Sequence, residues 1–123
     1  MADNIYGYTD EYINELFGLH DDIMKITEKS ISDADIPQIS VSLNQGRFLQ
    51  MMALSCRAKR ILEIGTLAGF STIWLGRALP ADGKLVTLEL EPKHAEVAAR
   101  NLEKAGLREK VNIRIGDALS SLK

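Results

Sequence analysis

Cysteine occurs once in 123 residues, at Cys56, so no disulfide can close within the chain. That suits a reducing compartment, and cytoplasmic is the expectation. A basic excess is missing too: 15 Lys and Arg stand against 17 Asp and Glu, for a net charge of -2. Nucleic-acid binding usually leaves a basic footprint, so no nucleic-acid partner is expected. No apolar run approaches the roughly 20 residues of a membrane-spanning helix. The opening Met1-Ala2-Asp3-Asn4 lacks the basic and apolar regions of a secretion signal. Histidine occurs only at His20 and His94, without partners at metal-ligand spacing, and both read as surface residues. Repeats and low-complexity tracts are absent. What is present, 46% apolar and 26% charged residues, is an ordinary globular composition that does not indicate disorder, and the length fits one domain or less.

The N-terminal part is helical in pattern. Residues 10–29 predict one helix, with Thr9 as cap and Tyr12, Leu16, Leu19 and Ile23 on a buried face. Residues 30–40 mix Ser, Asp and Pro and read as a loop. Ser42-Leu43-Asn44-Gln45 fits the S-x-x-Q capping box and opens a second helix to about Arg57, with Leu49, Met52, Ala53 and Cys56 facing the core. These helices are expected to cover a sheet.

From Arg60 the pattern changes. Ile61-Leu62-Glu63-Ile64 reads as a buried strand, followed by a glycine loop and a helix over 71–79 into which Trp74 is buried against the sheet. Residues 84–89 read as a second strand. A helix follows, with Pro92 at its start and Gly106 at its end. Val111 to Ile115 read as a third strand, closed by Gly116-Asp117. Alternation of strand and helix implies an α/β fold with a parallel sheet and right-handed crossovers.

The loop after the first strand carries the chemistry. Glu63-Ile64-Gly65-Thr66-Leu67-Ala68-Gly69 has the form E-x-G-x-x-x-G, whereas a dinucleotide site prefers G-x-G-x-x-G. Glu63 beside a pyrophosphate is unfavourable; a carboxylate suits a cationic ligand such as the amino group of an amino-acid cofactor. Glu89, ending the second strand, can accept hydrogen bonds from a ribose diol. Each residue also has a plainer role: Glu63 paired with Arg60 or Lys59, Glu89 as a solvated strand-end acid, Asp117 and Ser71 as helix caps, and Gly65 and Gly69 as turn formers.

The string from Ile61 to Thr72 is similar to the L-E-I-G-x-x-x-G-[YF]-S-T signature of the caffeoyl-CoA and catechol O-methyltransferase family. Gly106-Leu107, Val111 and Gly116-Asp117-Ala118 follow in family order. The resemblance covers Ile39 to Leu122 and implies a Rossmann-like class I methyltransferase fold. A helical cap would occupy residues 1–40 and part of an S-adenosylmethionine-binding domain residues 41–123. It implies that Val41 and Ser42 border the methionine end of the cofactor. Glu63 and Gly65 would hold the amino-acid portion, with Thr66, Gly69 and Ser71 nearby. Glu89 would bind the ribose, and Asp117 and Ala118 the adenine. A small-molecule methyl acceptor, usually a phenolic hydroxyl, is implied, and Tyr6, Tyr8 and Tyr12 either line its pocket or belong to the cap.

The resemblance has a boundary. The family's divalent metal is held by residues after the fourth and fifth strands, and no F-D-x-x-F-I-D string occurs before Lys123, so no metal ligand or catalytic residue is assigned. Without a fourth strand, residues 60–64 are an open apolar edge that invites pairing, and a homo-oligomer is expected. Two further readings remain: a non-catalytic nucleotide-binding or self-associating fragment, and a nicotinamide-dependent oxidoreductase, which the glycine spacing disfavours.

Overall fold

In the computed structural model, which describes residues 2–123 and side chains from Ile5 onward, three strands form one parallel sheet. They are β1 (Arg60–Ile64), β2 (Lys84–Glu89) and β3 (Val111–Ile115), in the order β1-β2-β3. Leu85 of β2 is in register with Ile61 on one side and Val111 on the other. The crossovers are α4 (Phe70–Ala78) and α5 (Pro92–Lys104), and α6 (Ala118–Ser121) follows β3. The strands and both crossover helices match the sequence expectation, so the fold is the Rossmann-like α/β arrangement.

Right-handed crossovers that advance in one direction along a sheet place their helices on the same face. Accordingly Phe70 and Ile73 of α4 and Leu102 of α5 bury against Leu85 and Val111. Side chains alternate along a strand, so Leu62 and Ile64 of β1 project to the other face, where they are 54% and 63% exposed. β1 is an edge with an open apolar face.

The N-terminal region departs from expectation. In place of one helix over 10–29 there are two, α1 (Ala2–Leu16) and α2 (Asp22–Asp33). The chain breaks at Gly18, whose φ of +58° is left-handed. It restarts at Asp21, whose side chain accepts from the Met24 N–H at 3.0 Å. Thr9 is no cap; it lies inside α1 and donates to the Ile5 carbonyl. Leu19 is buried, but Tyr12 and Leu16 are exposed; from α1 it is Ile13 that packs against the core containing Leu19. Asp21 also pairs with Arg77, 2.9 Å away. Burial opposes its ionisation, but hydrogen bonds from Arg77 and from the Met24 N–H outweigh that and hold its carboxyl below the usual range.

Ser42 caps α3 (Leu43–Ser55), with the reciprocal Gln45 bond present. On α3 Ala53 is buried, while Met52 and Cys56 are exposed rather than in the core. Trp74 is buried, but its ring closes on α3: a Cβ added at Gly46 would lie 2.2 Å from its Cδ1. Of the N-terminal helices, α3 packs on α4, α2 on α5 and α4, and α1 on α3.

Candidate functional site

The β1–α4 connection is built around two carboxylates. Glu63, on β1, faces the helical layer and meets three hydroxyls. Its Oε1 accepts from Thr72 at 2.5 Å and Thr87 at 2.7 Å, and its Oε2 from Ser71 at 2.7 Å. Because Thr87 donates to Glu63, its oxygen is free to accept from Thr66, 2.6 Å away. The hydroxyls thus form a relay from the loop to the carboxylate. A partly buried charge is tolerable only when hydrogen-bonded in this way.

Glu89, the last residue of β2, is 7% exposed. Its Oε2 accepts from the Thr66 N–H at 3.0 Å and the Leu67 N–H at 2.8 Å, and its Oε1 from the Glu91 N–H at 3.0 Å. Burial pushes the Glu89 carboxyl up, but these N–H groups, with His94 nearby, prevail and hold it below the ordinary carboxylate range. The bonds also explain how Leu67 keeps a left-handed φ of +50°, a conformation unfavourable for a residue with a Cβ. Glu89 therefore shapes the glycine loop, a role the sequence did not disclose.

The glycines serve the same loop. Gly65 turns the chain at φ +90°, and Gly69 caps α4 at φ +83°, where an added Cβ would stand 3.4 Å from that of Ala98. Gly69 is thus the cap of α4. Ser71 lies inside the helix and binds Glu63 instead.

A cavity of about 540 Å³ opens above this loop, lined among others by Val41, Glu63, Gly65, Thr66, Ser71 and Glu89. Six of the ten residues named from the sequence are brought together here. The other four stand elsewhere. Ser42 is occupied as the cap of α3, and Gly69 is buried beneath the loop. Asp117 is exposed and caps α6, accepting from the Ser120 N–H at 2.9 Å, with Ala118 beginning that helix.

Among the lining residues that sequence reasoning did not assign to the site are His94 and Ser40. His94 is not a surface residue; its side chain is 17% exposed and its Nδ1 lies 3.5 Å from Glu89 Oε1. The signal was available, because only Leu90 and Glu91 separate β2 from α5, and so short a link folds the first turn of the helix back on the strand end. The Ser40 Oγ is buried without a hydrogen-bond partner beside Val41. Tyr6, Tyr8 and Tyr12 are all exposed. Among the described residues no group of three or more His, Cys, Asp or Glu side chains could hold a metal ion. Among the described residues no helix is long and apolar enough to cross a membrane.

Comparison with known proteins places this geometry. The O-methyltransferase family matches residues 14–123. A catechol O-methyltransferase of Niastella koreensis is 52% identical over 122 residues, which are 99% of this chain and 55% of that protein. One from Mycobacterium tuberculosis is 53% identical over 89 residues, covering 72% of this chain and 40% of its own. An O-methyltransferase from Bacillus cereus, solved in complex with SAH, superposes with a TM-score of 0.91 at 42% identity, over 94% of this chain and 52% of that one. The chain spans about half the length of the curated relatives it matches.

Proposed function

This chain belongs to the O-methyltransferase family, and from that premise we propose that it forms the S-adenosylmethionine-binding portion of a methyltransferase. The acceptor is a small hydroxyl compound of phenolic or catechol type. The observation that carries the reading is the pair Glu63 and Glu89, set on either side of the glycine loop. Each carboxylate offers about four acceptor positions. The protein fills three on each, leaving one on Glu63 Oε2 and one on Glu89 Oε1.

The residues present fit the cofactor. The cavity, about 540 Å³, lies within the roughly 300–1,000 Å³ of small-molecule sites. The remaining oxygen of Glu63 suits an ammonium group, and that of Glu89 a ribose hydroxyl. The unpartnered Ser40 Oγ offers a further polar contact. Bound there, S-adenosylmethionine would supply an electrophilic methyl group on its sulfonium. The chain's own part is positioning: the loop held by Glu89 fixes the floor of the cavity, and fixed orientation lowers the barrier to a displacement between two bound reactants. A divalent metal finds no ligand cluster among the described residues.

Isothermal titration with S-adenosylhomocysteine tests the reading. One-site binding, weakened in both Glu63→Gln and Glu89→Ala, is expected; a chain that is folded by circular dichroism and binds nothing overturns it. A cytoplasmic setting belongs to the same proposal. A second reading, a non-catalytic module that self-associates, is favoured by the open face at Leu62 and Ile64. Methyl-transfer assays with a catechol and magnesium separate the two.

A further inference from the structure

A ribose presents two neighbouring hydroxyls, and Glu89 has room for one. Both positions on Oε2 are taken by the Thr66 and Leu67 N–H groups, and Oε1 already receives the Glu91 N–H. Freeing a second position would release the loop that holds Leu67 in its left-handed conformation. The other hydroxyl therefore needs a partner of its own beside Oε1. His94 is there: it lines the same cavity, and its Nδ1 is 3.5 Å from Oε1.

We infer that His94 completes a diol-binding pair with Glu89. Oε1 accepts a hydrogen bond from one ribose hydroxyl, and the Nδ1 of the neutral imidazole accepts from the other. The inference rests on the proposed function, which supplies the nucleoside. Protonation has a definite consequence. An imidazolium has no acceptor nitrogen, and its N–H turns to Oε1 and closes the last position there. Affinity is therefore expected to fall on acidification, because a protonated His94 offers the diol no acceptor.

The charged groups facing the cavity are Glu63 of β1, Glu89 of β2 and Glu91 before α5; the segment 37–41 and Leu49 of α3 bring none. Among the described residues of this lining, His94 is therefore the one able to become a cation.

The test is titration with S-adenosylhomocysteine at pH 7.5 and 5.5 on the wild-type chain, His94→Asn and His94→Phe, with circular dichroism at both pH values. Wild-type affinity is expected to fall about fivefold or more on acidification. His94→Asn keeps an acceptor that cannot be protonated, so it binds more tightly than His94→Phe at pH 7.5 and loses most of the fall. His94→Phe binds about fivefold more weakly at pH 7.5. NMR titration of the wild-type His94 ring needs no variant: saturating ligand is expected to move its midpoint to lower pH. A midpoint that stays in place, or an equal fall in wild type and His94→Asn, overturns the inference and leaves the nucleoside reading standing. No binding by the folded wild-type chain at either pH overturns that reading and the inference together.

Discussion

The side-chain amide of Asn101 donates at 2.9 Å to the carbonyl of Ala68, at the centre of the glycine loop. The same nitrogen donates at 2.8 Å to the Ser30 Oγ of α2. One buried side chain of α5 thus ties the loop to the N-terminal helices. Asn101→Leu keeps the approximate volume and removes the donor, leaving a buried carbonyl unpaired. Each unmade buried hydrogen bond costs about 1–3 kcal/mol, so a loss of about 2–4 kcal/mol is expected in urea denaturation, with weaker S-adenosylhomocysteine binding alongside. A loss below about 0.5 kcal/mol would show that the tie carries no weight.

Glu89 makes the fold sensitive to acid. Its folded-state pKa lies below its unfolded value, so it contributes stability that is present above the unfolded pKa of about 4.3. That contribution is lost as pH falls through the still lower folded value. Glu89→Gln removes the charge and turns an amide NH2 toward N–H donors. The variant is expected to be about 1–3 kcal/mol less stable at neutral pH, with a flatter decline between pH 5 and 3. A decline as steep as that of wild type would assign the acid limb to other groups, among them Asp21, whose pKa is lowered as well.

The parts of the fold that were legible in the sequence are those governed by local pattern. The three strands, the Pro92 helix start and the Ser42 capping box each rest on a short run of residues with a direct physical cause. The α1–α2 break is not legible because Leu16, Leu19 and Ile23 keep helical spacing across it, while the left-handed φ of Gly18 emerges only in the structure. Within the site, the glycine spacing disclosed Glu63 and Gly65. The three-dimensional use of Glu89 could not be read, since its loop contacts join residues 22 and 23 positions apart. The Thr66–Thr87–Glu63 relay was hidden for the same reason.

Gly46 is set by the Trp74 ring. An alanine there would place its Cβ 2.2 Å from Trp74 Cδ1, and Trp74 is buried within the core, so the ring cannot simply swing away. Replacing glycine inside a helix gains about 1 kcal/mol of propensity, whereas overpacking costs about 1–3 kcal/mol. The clash is severe enough for the second effect to win. Gly46→Ala is expected to lower Tm by several degrees and to shift the emission of Trp74, the only tryptophan in the sequence. An unchanged or raised Tm would mean that α3 can move off α4 at no cost.

The open face of β1 gives the last expectation. Leu62 and Ile64 together expose an apolar strip on an edge strand whose backbone groups have a partner on one side only. Such edges pair with other chains unless a charge or a covering element blocks them. The chain is expected to self-associate at micromolar concentration. Leu62→Lys is expected to reduce this, since lysine on an edge strand disfavours a second strand or a packed face. Leu62 lies on the sheet face opposite Glu63 and does not line the cavity, so the variant should bind S-adenosylhomocysteine as the wild type does. Sedimentation velocity across a concentration series separates the outcomes. A wild-type chain that stays monomeric, or a variant that associates equally well, would show that this face is not where the chains meet.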